Sequence, residues 1–382
     1  MSGAVLVLNE EERLLRDTAR EFLQSHAPVA ALRRLRDTRD ELGYAPDLWR
    51  SMVELGWASI TLPEQYGGLD FGFRGLGVVL EECGRTLAAS PLFATGVVGA
   101  AAILLGGSEQ QRTTLLPEIA RGGLTLALAL EETHHHRPHH IATTAEARGD
   151  GFTLNGRKTF VLDGHSADRL IVVARSDGDV DSQSGLTLFL VHPMADGVVR
   201  ERTIMADSRN AANIRFDNVT VGADSVLGAV NGGHEILAPV LDRGRVAIAA
   251  EMMGLALEAF ERTVAYLKER RQFDAPIGSF QALQHRAALM QSELELARSV
   301  VLAALSAVDQ TPQQLPLLAS LAKARLNELV KLVTNEAVQM HGGIGVTDEL
   351  EIGFFLKRAR VAMLVFGDTG FHKDRYATLC GY

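Results

Sequence analysis

Residues 270–285 read Arg270-Arg-Gln-Phe-Asp-Ala-Pro-Ile-Gly-Ser-Phe-Gln-Ala-Leu-Gln-His285. Upstream, Val240, Leu241, Ile248, Met252, Leu255, Phe260, Val264 and Leu267 recur mostly in threes and fours, as on a buried helix face. Pro276 and Gly278 break that helix, and a second periodic run starts near Phe280. A loop with two arginines and a phenylalanine is therefore held between two long helices. Forked guanidinium donors suit phosphate oxygens. Cations in a last helical turn also complement the macrodipole, so charge alone leaves both readings open.

The whole string resembles the signature of the acyl-CoA dehydrogenase family, Arg-x-Gln-Phe-Gly-x-Pro-Ile-Gly-x-Phe-Gln-x-x-Gln-His, and departs from it in having Asp274 for the glycine. Gln339-Met-His-Gly-Gly-Ile-Gly345 and Pro63-Glu-Gln-Tyr-Gly-Gly68 extend the resemblance over nearly all of the chain. It implies an FAD-dependent α+β multidomain fold. The expected parts are an N-terminal helical domain (1–123), a middle antiparallel β domain (124–232) and a C-terminal four-helix bundle (233–382).

Length and composition bound the answer independently. A chain of 382 residues, 47% hydrophobic and 22% charged, can bury a core and should form two or three domains. The net charge of -9 argues against nucleic acid or an anionic membrane as partner, while leaving room for a local basic site. Cys83 and Cys380 are too few for a disulfide framework or a zinc site, which fits a reducing cytoplasm. Glu10, Glu11 and Glu12 are unlike a signal peptide. The longest apolar run, Val97 to Leu105, is too short to span a bilayer.

Asn9 with Glu12 predicts a capping box opening a first helix, and Pro28 ends it. Shorter helices are expected at Leu48–Trp57, Leu76–Leu87 and Val97–Leu105. After Gly122-Gly123 the texture changes: Leu124, Leu126, Leu128 and Leu130 alternate with smaller residues. Phe152 to Leu162 reads as a hairpin turning at Asn155-Gly156. Leu170–Ala174, Leu186–Val191 and Asn213–Val221 are further strands, giving a small antiparallel sandwich or barrel. From Gly233 the chain is helical again, with helices ending near Arg270, Val308, His341 and Val365.

Glu131 to His140 holds five histidines in seven residues, from His134 to His140. Such a tract is a compositional hint of metal binding, but with no cysteine nearby a solvated loop is expected instead. By gap-free counting, the family's Thr-Glu-Pro-x-x-Gly-Ser-Asp block falls on Leu130 to Arg137. The resemblance gives its Thr and Ser hydrogen bonds to the flavin ring and pyrophosphate, and those places hold Leu130 and His136. The family's aromatic-Ile-Thr triplet beside flavin N5 falls on Phe160-Val161-Leu162, so Phe160 is kept and the Thr is not. Leucines offer a flavin edge no hydrogen bond.

Family members desaturate an acyl-CoA thioester: a carboxylate removes the α proton, and FAD takes the β hydride and passes electrons to an electron-transfer flavoprotein. The usual base is the Glu of Tyr-Glu-Gly-Thr, and here the block reads Phe366-Gly367-Asp368-Thr369. The alternative place on the long helix is Gly244. Asp368 is the remaining candidate base, offset by one residue and one methylene shorter. It suits a helix N-cap equally.

The resemblance also implies that each FAD lies across a dimer interface, where a neighbour lends the arginine and Gly-Gly loops. This chain keeps what it would lend: Arg270, Gln272, Phe273, Gln281, Gln339, Gly342 and Gly343, with Thr369 and Phe160 as further cofactor contacts. At the receiving places stand Leu130, His136, Leu162 and Gly367. The expectation is a subunit resembling the partner chains of heterotetrameric α2β2 acyl-CoA dehydrogenases, which act on steroid side chains and other bulky CoA esters. Three alternatives stand beside it: a homotetrameric dehydrogenase using Asp368, a flavin monooxygenase of the same fold, and a non-catalytic binding protein.

Overall fold

A computed structural model describes residues 7–382. The helices are α1 (Glu10–His26), α2 (Val29–Thr38), α3 (Pro46–Glu54), α4 (Phe73–Thr86), α5 (Ala100–Gly106) and α6 (Glu109–Ala120), with a π-helical stretch at Leu92–Gly99. Strands follow: β1 (Leu126–Ala129), β2 (Thr144–Arg148), β3 (Gly151–Leu162), β4 (Arg169–Arg175), β5 (Leu186–Val191), β6 (Val198–Ile204), β7 (Asn210–Gly222) and β8 (Val226–Leu227). After α7 (Gly233–Glu269) come the short strands β9 (Arg271–Gln272) and β10 (Ala275–Pro276). Helices α8 (Gln281–Gln310), α9 (Leu315–His341), α10 (Ile352–Leu364) and α11 (Thr369–Leu379) complete the chain. Along the chain, the strands of the sheet thus fall between helical N- and C-terminal parts. No helix among the described residues is long and apolar enough to cross a membrane.

Two compact units emerge. One comprises Leu35–Phe71 and Ala89–Gly244. Its sheet has eight strands in the order β6-β7-β3-β2-β4-β5-β8, with β1 beside β4. The halves meet through a single register pair, Thr144 with Arg175. Across that narrow link the sheet folds over one apolar core that includes Leu154, Val172, Phe189 and Ile214. The Phe152 and Phe189 rings meet edge-on at 5.1 Å there.

Two sequence expectations for this sheet need correction. It is mixed rather than purely antiparallel, because β1 pairs with β4 in parallel, Leu126 opposite Arg169. Asn155-Gly156 is not a hairpin turn but lies inside β3, at a register shift in the β3–β7 ladder. The dipeptide's turn preference is local, whereas β3 gains a ladder with β2 on one side and with β7 on the other. The turn that joins β2 to β3 is Gly149-Asp150.

The second unit comprises the described residues up to Arg34, Gly72–Ala88 and Arg245–Tyr382. The expected capping box opens α1: Asn9 Oδ1 accepts from Glu12 N at 2.8 Å and Glu12 Oε2 from Asn9 N at 2.9 Å. Helices α4 and α7 touch backbone to backbone, since a Cβ on Gly84 would overlap Glu251 O and one on Gly254 would overlap Glu81 O. Three buried carboxylates in the unit are paired: Glu12 with Arg74 at 2.6 Å, Glu82 with Arg20 at 2.8 Å, Glu251 with Arg358 at 2.9 Å.

Candidate functional site

The arginine loop is a hairpin. Gln272 pairs with Ala275 and Arg271 with Pro276, so Phe273 and Asp274 occupy the two central turn positions. Both have positive φ, +54° and +60°, the backbone of a type I′ turn. Glycine suits the second position best, which accounts for the family's glycine there; Asp274 tolerates it as a short polar residue. Arg271 Nη2 donates to Asp274 O at 2.8 Å and steadies the hairpin. Arg270 is exposed, and among the described residues its guanidinium has no side-chain partner. Phe273, 89% exposed, stands edge-on to Phe280 at 6.1 Å. Gln281 is the first residue of α8 and is exposed.

The Gln339–Gly345 stretch ends α9. Gly342 has φ +65°, and a Cβ on Gly342 or Gly343 would meet nothing within 4 Å, so the loop leaves open space beside its backbone. Gln339 is exposed on the last turn. The two loops share one end of the bundle. Tyr266, one turn before Arg270, lies against His341 with centroids 4.4 Å apart and rings tilted by 32°, and its hydroxyl donates to His341 O at 3.4 Å. Burial lowers the His341 pKa, which the Ala337 backbone hydrogen bond opposes.

The Phe366–Thr369 turn is the third element. Asp368 is exposed and caps α11, its Oδ1 accepting from Phe371 N at 2.8 Å. Thr369 is the first residue of that helix. Gly367 is buried with φ +119°, and Gly244 is buried within α7. Asp368→Asn keeps an acceptor at the cap, since Asn caps as well as Asp. It should leave stability unchanged and reduce α-proton exchange, followed by deuterium uptake into an acyl-CoA, no more than a few-fold. A loss of about a hundredfold or more with the fold intact would make Asp368 the base.

In the sheet-bearing unit, Leu130 is buried, 2% exposed, and its carbonyl accepts from Lys158 Nζ at 3.1 Å. Lys158 is fully buried and also donates to Glu132 at 2.7 Å. Glu132 in turn accepts from Ala142 N at 2.6 Å and Thr143 N at 3.0 Å. Burial raises the Glu132 carboxyl, but Lys158 and the Thr143 and Ala142 contacts outweigh it and hold it below the ordinary carboxylate range. Phe160 sits at a second register shift of β3 with φ +52°. Leu162 ends the strand, half-buried.

The histidine loop is a structural crossing. His136 Nδ1 lies 2.5 Å from Glu131 Oε1, and His140 Nδ1 2.8 Å from Asp181 Oδ1. No group of three or more His, Cys, Asp or Glu among the described residues could hold a metal ion. Arg175, 8% exposed, anchors the loop from beneath. Its guanidinium donates to the carbonyls of His139, Ile141, Asp177, Val180, Ser182 and Ser184 at 2.9–3.2 Å.

Sequence reading missed Arg175 and a buried lysine on α9, Lys323. The signal for Lys323 was its phase: it falls on the buried stripe with Ala319, Leu326 and Val330.

Comparison with known proteins gives a consistent result. The family descriptions "Acyl-CoA dehydrogenase, N-terminal domain", "middle domain" and "C-terminal domain" match residues 9–123, 127–219 and 231–378. The chain is 32% identical over 361 residues to the acyl-CoA dehydrogenase IpdE2 of Mycolicibacterium smegmatis, covering 94% of this chain and 96% of that one. It is 31% identical over 371 residues to a 3-(aryl)acrylate reductase of Clostridium sporogenes, covering 95% and 96%. Among solved structures, a variant of the Tcur3481-Tcur3483 steroid ACAD superposes with TM-score 0.87 at 33% identity, covering 97% of this chain and 98% of that one.

Proposed function

The chain belongs to the acyl-CoA dehydrogenase family, FAD-dependent oxidoreductases that act on CH–CH bonds, and we propose that within it this protein completes the FAD site of a different subunit while supplying no catalytic base. The observation that carries the reading is the division of its residues. The lending loops fit a dinucleotide: Arg270, exposed and without a side-chain partner among the described residues, suits a phosphate, and the Gly342–Gly343 backbone is open to a ligand. The receiving places do not fit a flavin ring. Leu130 is buried and apolar, Leu162 offers no donor, and Gly367 carries no carboxylate.

In this reading FAD, when bound, would supply the hydride acceptor for the β carbon of an acyl-CoA thioester. Arg270 would neutralise phosphate charge, and Gln339 and the Gly342–Gly343 backbone would hold the dinucleotide. Phe273, exposed at the hairpin tip, would add an aromatic contact to it. The α-proton goes to a carboxylate of the partner chain, another acyl-CoA dehydrogenase subunit. An electron-transfer flavoprotein would take up the reducing equivalents. One similar protein is named as a pair, Tcur3481-Tcur3483, and as acting on steroids, which supports a two-component assembly and a bulky acyl group here.

Arg270→Ala, made in this chain only, tests the lending role. Because the side chain is exposed, the fold should keep its stability. FAD retention by the assembled complex should fall roughly ten- to a hundredfold, the cost of a lost charge-assisted contact. Equilibrium dialysis of FAD against the complex reads it, and unchanged affinity would remove Arg270 from the site.

A further inference from the structure

Side chains from three helices converge on the turn after α10. Lys323, fully buried on α9, donates from Nζ to Asn327 Oδ1 at 2.7 Å, Met363 O at 3.1 Å and Gly367 O at 3.0 Å. Asn327 Nδ2 adds a 3.4 Å contact to the same Gly367 oxygen. The preceding carbonyl, Phe366 O, accepts from Arg245 Nε of α7 at 3.1 Å and from His372 Nε2 of α11 at 3.0 Å. Two consecutive carbonyls thus have both lone pairs engaged by buried donors.

The proton positions follow from the partners. A carbonyl only accepts, so His372 carries its hydrogen on Nε2. Its Nδ1 then faces the Ser320 hydroxyl at 3.5 Å, which also accepts from Arg375 Nη1 at 2.7 Å. Three acceptors around Lys323 Nζ match the three donors of an ammonium. Burial and the Arg245 charge pull its pKa well below the ordinary lysine value, and Asp368 opposes them.

The turn needs such a hold. Phe366 has φ +55°, unfavourable for a side chain of its size, and Gly367 has φ +119°. A Cβ on Gly367 would lie 2.6 Å from Phe371 Cδ1 and 2.7 Å from His372 Nε2. His372 cannot retreat without releasing Phe366 O.

We propose that Lys323 is the positioning residue of this turn, and that the turn it holds with Arg245 and His372 admits only glycine at position 367. The place the family gives its base is then closed to a carboxylate, not merely missing one. That consequence rests on the half-site reading; the positioning role does not.

The test uses the full chain without flavin. Phe71-Gly72 and Phe366-Gly367 are its two Phe-Gly dipeptides, so carbonyl-13C phenylalanine with 15N glycine gives two carbonyl–amide correlation peaks. Lys323→Met should move the Phe366-Gly367 peak and leave the Phe71-Gly72 peak in place. Should Lys323→Met not fold, Asn327→Ala removes one of the same contacts and is read identically. Gly367→Ala and Gly367→Glu should each lower Tm by about 5 °C or more. Two stationary peaks, two peaks moving together, or an unchanged Tm in Gly367→Glu would overturn the proposal. Flavin content plays no part, so failure of the half-site reading leaves this result separately legible.

Discussion

Expressed alone, the chain should be colourless or nearly so; purified with a family partner that keeps the Glu and the Thr-Glu-Pro-x-x-Gly-Ser block, it should give a yellow complex with about one FAD per two chains. The expectation follows from desolvation. A flavin edge leaving water must find protein partners, and each buried polar group left unsatisfied costs about 1–3 kcal/mol. Leu130 cannot supply one, being buried and apolar, and Leu162 offers none. Two such losses come to about 2–6 kcal/mol, roughly thirtyfold to more than ten-thousandfold in affinity. Glu→Gln at the partner's base should abolish turnover, while no carboxylate of this chain should be needed. The visible absorption spectrum of each preparation decides the matter. One FAD per subunit in the chain alone, with dehydrogenation of an acyl-CoA, would defeat the half-site reading in favour of a homomeric enzyme. Oxygen-dependent product formation would mark a monooxygenase instead, and the absence of flavin in any assembly a binding protein.

Arg175→Met should destabilise the chain by about 3–5 kcal/mol, measured by chemical denaturation. The native guanidinium is buried and, among the described residues, bonds only backbone carbonyls. Burial accordingly lowers its pKa, against the charges of Glu132, Asp179 and Asp181. Methionine fills similar space but strands those carbonyls, which belong to two segments, 139–141 and 177–184. Arg175 also occupies the one register pair that links the two halves of the sheet, so the loss should propagate there. Hydrogen exchange should quicken first in those two segments. Arg175→Lys should recover only part of the loss, because an ammonium has three donors and no planar fork. A loss below about 1 kcal/mol would show that water replaces the guanidinium at little cost.

Much of the helical part was legible in the amino-acid order. Helix α9 (Leu315–His341) ends where it was read to end, because a long 3.6-residue period is bounded by Pro316 at its start and Gly342 at its end. Strand β5 was equally plain, as a short apolar run between turns. Strands β2 and β6 were not, since their residues are largely polar and exposed and carry little alternation. The Asn155-Gly156 reading failed for the related reason that strand pairing is a long-range property, which no dipeptide encodes.

For the site, the division is similar. Arg270, Phe273, Gln339 and Gly342–Gly343 lie in contiguous motifs, and a motif is visible in one dimension. That Asp368 caps α11 was also readable, because capping is a local interaction across three residues. What the sequence could not determine is the environment of Gly367. Its neighbours Arg245, Lys323 and His372 come from three helices and are far apart in the chain. Only the packing of α7, α9 and α11 brings their donors onto two adjacent carbonyls, and only that packing turns a glycine in a motif into a position where a Cβ would press on Phe371 and His372.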